Sequence, residues 1–276
     1  MNLLLSSVPT SFNISANLML RFSFIVFRFA FLVALVFGAR VASAQTDEIQ
    51  VYDGGLADVG KFNLTWHNNF TPKGVVEPAF AGANVADRSF NGVTEWAYGV
   101  TKWFEAGLYL PLYSIDKNNG ATFNGFKLRA LFAVPKADDR KFFYGVNYEF
   151  SVNRKNWDEN RITSEVRPII GWHLKPWDII VNPILDTAWD GVKNLDFAPA
   201  TRIAYNVNDK WAVAFEEYAD YGPLHDFASA SDQAHQLYFV VNHGTKWVDI
   251  EAGVGVGVTN ATDKLTFKLL LSKDLN

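Results

Sequence analysis

The chain has no cysteine and only two methionines among its 276 residues, so neither a disulfide framework nor a thiolate metal centre is open to it. Beyond the first 45 positions it lacks any run of 18 uninterrupted apolar residues. That excludes a membrane-spanning helix there and leaves a closed β-barrel as the one architecture that could satisfy a backbone in lipid. Basic residues are scarce as well, 25 against 29 acidic. Three of them (Arg21, Arg28, Arg40) lie in an N-terminal export signal with no acid, which leaves 22 and a mature net charge of −7. Such an acid surplus argues against a nucleic-acid partner.

Aromatic residues, by contrast, are plentiful: nine Trp, ten Tyr and 23 Phe. Five times a basic residue stands beside a ring, at Lys102-Trp103, Lys141-Phe142, Lys175-Pro176-Trp177, Lys210-Trp211 and Lys246-Trp247, at intervals of 39, 34, 35 and 36 residues. That period fits two strands plus two connections. A chain repeating a ring and a cation once per hairpin marks one membrane interface once per hairpin, with rings at headgroup level and Lys reaching outward. Trp103, Phe142, Trp177, Trp211 and Trp247 are therefore expected to form an interface girdle.

At the N-terminus, Arg21 and Arg28 precede the apolar run Phe29 to Phe37, and Ala42-Ser43-Ala44 is a small-x-small cleavage site. Residues 1–44 are read as a secretory signal peptide whose true start is Met19, and 45–60 as a short periplasmic segment.

From Lys61 onward, segments of about ten residues alternate with period two, as strands with a lipid face and a lumen face must. Phe62, Leu64 and Trp66 oppose Asn63, Thr65 and His67, while Tyr144, Val146, Tyr148 and Phe150 oppose Gly145, Asn147 and Glu149. Twelve such segments can be counted, and Glu216-Glu217 suggests a bulge in the ninth. Gaps near 101–103, 135–140, 175–178, 207–210 and 243–246 are short and adjoin the Lys-aromatic repeat. The intervening gaps, 71–89, 115–122, 153–162, 187–194, 221–233 and 259–263, are mostly longer and rich in Gly, Asn, Asp and Pro. Short periplasmic turns and long external loops follow, with both termini periplasmic. The expected fold is all-β: an antiparallel up-and-down transmembrane barrel over 61–276 in the outer membrane of a Gram-negative cell, in contact with its lipid and inserted by the barrel-assembly machinery.

Charges keep to one face, so the lumen is where selectivity would sit. Pairing strands around the short turns sets Lys127 opposite Glu149, Arg167 opposite Asp186 and Arg202 opposite Glu216. Arg129, Glu165 and Glu251 extend this belt, which would either select solutes by charge and size or fill a narrow barrel with ion pairs. No catalytic constellation stands out. His67, His173, His235 and His243 have no Ser at a telling spacing for a lipid hydrolase. His225 with Asp226, and His235 with Asp232, fall short of a metal-ligand set. Gly253, Gly255 and Gly257 alternate with Val on a strand, so they cannot cradle a phosphate at a helix start. No cofactor is expected.

The run Tyr98-Gly99-Val100-Thr101-Lys102-Trp103-Phe104-Glu105-Ala106-Gly107 resembles the strand–turn–strand unit, Tyr-Gly-x-Thr-x-x-x-Glu-x-Gly, of the outer-membrane proteins associated with the meta-cleavage pathway of phenol degradation. The similarity extends loosely over residues 50–275; one departure is the end, Asp274-Leu275-Asn276, which lacks a terminal aromatic. The resemblance implies an outer-membrane channel or uptake role for small molecules, aromatic ones included. A closed structural or adhesion-type barrel and a lipid-modifying enzyme are the alternatives.

Overall fold

The computed structural model describes residues 48–275; the signal peptide, its cleavage at Ala44 and the start at Met19 lie outside them. Twelve strands run up and down: β1 (Phe62–Lys73), β2 (Ser89–Thr101), β3 (Phe104–Asp116), β4 (Gly120–Ala133), β5 (Phe142–Asn153) and β6 (Ile162–Leu174). Then come β7 in two pieces (Trp177–Asn182 and Leu185–Thr187), β8 in two pieces (Asp196–Phe197 and Ala200–Asn208), β9 (Trp211–Asp220), β10 (Ala234–Gly244), β11 (Asp249–Gly257) and β12 (Leu265–Leu275). Each strand pairs antiparallel with its sequence neighbours, and β1 closes the ring on β12 from Phe62↔Leu275 to Lys73↔Leu265. Closure removes the free edges that an open sheet would present.

The breaks in β7 and β8 fall side by side. Pro183 and Pro199 supply no N–H to a ladder, and the Ala198 N–H instead reaches the Ile184 carbonyl at 3.1 Å.

The faces are inverted relative to a water-soluble protein. Trp66, Phe70, Trp96, Leu128, Tyr144, Phe215, Phe239 and Phe267 are exposed on the outside, while His67, Glu95, Asn124, Asn147, Glu149, Glu216 and Lys268 are buried inside. An apolar outer surface on this scale has no stable arrangement in water and a natural one in lipid. The period-two pattern of the sequence produces this directly, since alternate side chains leave a strand on opposite faces.

Two local expectations are corrected. The connection expected at 115–122 is a tight turn of 117–119. The Asp116 carboxylate accepts the N–H groups of Asn118 and Asn119 at 2.7 and 2.9 Å, and Gly120 takes φ 66°, so β3 and β4 run on into the supposed loop. No bulge occurs at Glu216-Glu217, which sit in unbroken register with β8 and β10. Register shifts occur elsewhere in the ring, among them Phe70/Lys73, Val93/Glu95, Tyr109/Leu112 and Asn206/Asn208.

Candidate functional site

The lumen is not empty. The described part of the segment expected to be periplasmic, 48–60, turns back from β1 and runs up inside the wall, a correction with a clear physical basis. Gly60 donates to the Gly99 carbonyl at 2.7 Å and Ala57 to Glu105 at 2.5 Å. At Gly54 the backbone adopts φ 78°, and a Cβ there would stand 3.4 Å from Ala137 and 3.5 Å from Phe143. Ile49, Val51 and Tyr52 are then buried. Val51 and Tyr52 pack with Leu131, Phe143, Ile169 and Ile180, and Ile49 packs with Ala204, Ala214, Tyr238 and Val240. Each such side chain contributes about 1.5–3 kcal/mol by leaving water, which a segment extended into solvent would forgo.

Polar groups of the wall satisfy the backbone of this plug. Wholly buried Asn182 accepts the Tyr52 N–H at 2.7 Å and donates to the Tyr52 carbonyl at 3.0 Å, as an adjacent strand would. Arg167 donates to the Gln50 carbonyl at 3.0 Å and lies 4.6 Å over the Tyr52 ring; Lys268 donates to the Ile49 carbonyl at 3.2 Å. The Tyr52 hydroxyl meets the Tyr109 hydroxyl and accepts from Arg129 at 3.1 Å.

Three charge networks surround the plug. In the first, Arg129 binds Glu95 at 2.5 Å and also Glu105, and Glu95 meets fully buried His67 at 3.0 Å. In the second, Lys268 sits between Glu216 (2.5 Å) and Glu251 (2.6 Å), while Arg202 binds Glu216, Glu251 at 3.4 Å and Asn242 at 2.5 Å. In the third, Lys127 reaches Glu149 at 3.4 Å and Arg167 holds Glu165 at 2.6 Å and Glu48 at 3.5 Å.

Of the three cross-strand pairs expected, Arg202 and Glu216 are opposed as read. Lys127 is opposite Ser151, and its contact with Glu149 is diagonal; the residue opposite Glu149 is Arg129. Arg167 does not face Asp186, whose opposite neighbour on β6 is Glu165. The reason is the turn: Leu174 pairs with Trp177, so only Lys175 and Pro176 are unpaired, and the register moves by two residues from that of a longer turn. Trp103, Phe142, Trp177, Trp211 and Trp247 all stand exposed beside connections at one end of the barrel. His67 was read from the sequence only as a lone strand His, and Lys268, Glu95 and the plug itself were not placed in the belt; Ile49-Gln50-Val51, alternating ahead of the first strand, was the signal available for the plug.

At the opposite end, the connection 74–88 folds inward. Asn84 donates from its backbone to the Asn156 carbonyl at 2.8 Å and from its side chain to Asn124 at 3.1 Å, and accepts from Asn119 at 3.1 Å. Ala83 and Val85 are buried beside it. Trp157, from the 154–161 connection, packs on Val93, Tyr109 and Leu112. Asn84→Leu should release this loop, and limited proteolysis in detergent should cut within 74–88 several times faster than in the parent; equal rates would mean that the amides do not hold it.

Fold and interior together define a class: a closed, lipid-facing barrel with a plugged polar lumen. Among solved structures, the chain is similar to the COG4313 outer membrane channel from Pseudomonas putida F1, with a TM-score of 0.55 and 13% identity over 83% of this chain and 100% of that one. It is also similar to the KdgM porin, with a TM-score of 0.51 and 7% identity over 78% of this chain and 99% of that one. At these identities the likeness is one of fold. No protein-family model matches the chain, and no curated protein matches it by sequence.

Proposed function

We propose that this chain is an outer-membrane channel for small molecules whose lumen is occupied by its own segment 48–57. The observation that carries the reading is the contrast between the wall and its contents. The wall is a continuous hydrogen-bonded ring, whereas the plug is held by side-chain contacts such as those of Asn182, Arg167 and Lys268. Contacts of that kind can be exchanged for water without opening the ring. The lumen residues Lys127, Arg129, Glu149, Glu165, Arg167, Asp186, Arg202, Glu216 and Glu251 would then meet the solute. The five exposed rings beside the turns would sit at the periplasmic headgroup level. From the resemblance to the phenol meta-cleavage group, small aromatic compounds are the solute class proposed, and transport rather than catalysis is the activity.

The second reading is a closed structural barrel, favoured by the density of buried ion pairs. Liposome swelling with graded solutes, aromatic acids and alcohols among them, separates the two: swelling supports the channel, and its absence in both the parent and a plug-deleted form supports the structural barrel. Orientation has its own test. Single cysteines within 74–88 or 221–233 should react with an impermeant maleimide on intact cells, and cysteines beside Trp103, Trp177 or Trp247 only after lysis. Equal labelling of both sets on intact cells would overturn the orientation.

A further inference from the structure

The plug carries a phenol into the lumen. Tyr52 is only 5% exposed and lies in an apolar cluster with Leu131, Phe143, Ile169 and Ile180. The guanidinium of Arg167 stands 4.6 Å from the centre of its ring and that of Arg129 5.4 Å, while its hydroxyl accepts from Arg129 at 3.1 Å and meets the hydroxyl of Tyr109. These groups come from β3 to β7, and Tyr52 comes from the segment that fills the lumen. Apolar walls with a few placed polar groups are the make-up of a small-molecule site.

The polar half of this pocket does not depend on the plug. Arg129 is held by Glu95 at 2.5 Å and by Glu105, and Arg167 is held by Glu165 at 2.6 Å, all of them wall residues. Tyr109 is wholly buried and packs with Val93, Leu112 and Trp157. With Tyr52 gone, two guanidinium groups and a hydroxyl therefore stay aimed at a space the size of one ring. Buried polar groups left without a partner are costly. A solute that offers both a ring face and a hydroxyl restores their contacts, whereas a ring lacking the hydroxyl does not.

We infer that Tyr52 is a tethered occupant of a phenol site in the wall, and that a phenolic solute entering this site competes with Tyr52 and releases the plug. This role rests on the channel reading above and adds to it a ligand site and a trigger for opening. Docking of Tyr52 and binding of a free phenol exclude one another, so each weakens the other by the same factor. A ring tethered through residues 53–61 is present at an effective concentration on the order of millimolar. The affinity of the parent for a free phenol is then reduced to the fraction of time the pocket stands vacant.

The test uses the full mature chain in detergent and para-fluorophenol, followed by fluorine NMR against fluorobenzene, which has the ring without the hydroxyl. Tyr52→Ala vacates the pocket and should bind para-fluorophenol at least about tenfold more tightly than the parent does. It should bind fluorobenzene at least about tenfold more weakly than para-fluorophenol. Tyr52→Phe keeps the ring and loses only the hydroxyl, so its affinity should fall between those two proteins and serves if the larger truncation does not fold. Release has its own readout, because the chain has no cysteine and the side-chain oxygen of Gln50 is buried. Maleimide labelling of Gln50→Cys should speed up several-fold with saturating para-fluorophenol and stay unchanged with fluorobenzene. In planar bilayers, para-fluorophenol should raise the open probability of the parent. Hydroxyl-selective binding with release, but no conduction from parent or variants, keeps the site and removes the channel reading. Conduction with the same affinity in parent and variants overturns the site and leaves the channel standing. Equal affinity for the two ligands, or labelling that ignores bound ligand, also overturns it.

Discussion

Deleting residues 48–57 should raise single-channel conductance at least about tenfold over the parent, because the segment fills the lumen and is not part of the ring. The wall needs none of its backbone hydrogen bonds, so the deleted protein should still fold and keep the heat-modifiable gel mobility of a closed barrel. A finer version leaves the segment present. Asn182→Leu removes the acceptor for the Tyr52 N–H and the donor to the Tyr52 carbonyl, at a position with no exposure to water. Leaving one buried peptide group unsatisfied costs about 1–3 kcal/mol. A loss of about 2 kcal/mol would shift the docked-to-released ratio of the plug about 30-fold. Open probability should rise accordingly, with the unit conductance approaching that of the deletion. If the deletion folds and conducts no better than the parent, the segment is not what closes the barrel.

The second large effect concerns stability. Lys268→Met should lower the unfolding free energy of the barrel in urea by about 3–5 kcal/mol, the usual cost of stranding a buried charge. Lys268 is 2% exposed and is the shared partner of Glu216 and Glu251, so its loss leaves these two carboxylates with one cation, Arg202, beside the neutral donors Tyr218 and Asn242. The pair of changes Lys268→Met and Glu216→Gln should recover part of that loss, since it removes the stranded charge as well as its partner. A single variant within about 1 kcal/mol of the parent would show that water or protons compensate the carboxylates, and that the network contributes little to holding the barrel together.

These two experiments probe features that differ in how visible they were beforehand. Twelve strands, their inner and outer faces and the turn-end positions of Trp103, Phe142, Trp177, Trp211 and Trp247 follow from period-two alternation and from the spacing of the Lys-aromatic pairs. Both signals are local, because a side chain's face is decided by its position relative to its immediate neighbours. Register was only partly legible. Arg202 and Glu216 were placed opposite one another, but reading 175–178 as the turn, where Leu174 in fact pairs with Trp177, moved Arg167 onto Asp186.

The plug lay further out of reach. Its segment has no strand partner in the ring, and its backbone is satisfied by Asn182, Arg167 and Lys268, residues more than 100 positions away in the chain. By itself, then, the sequence determined the wall: how many times it crosses, which side chains face lipid, and which end bears the rings. Only the tertiary structure decided what occupies the lumen and which charges confront each other there. Alternation is a property of neighbouring residues, whereas filling an interior and opposing two charges depend on ring closure and on the exact residue at which each turn reverses the chain.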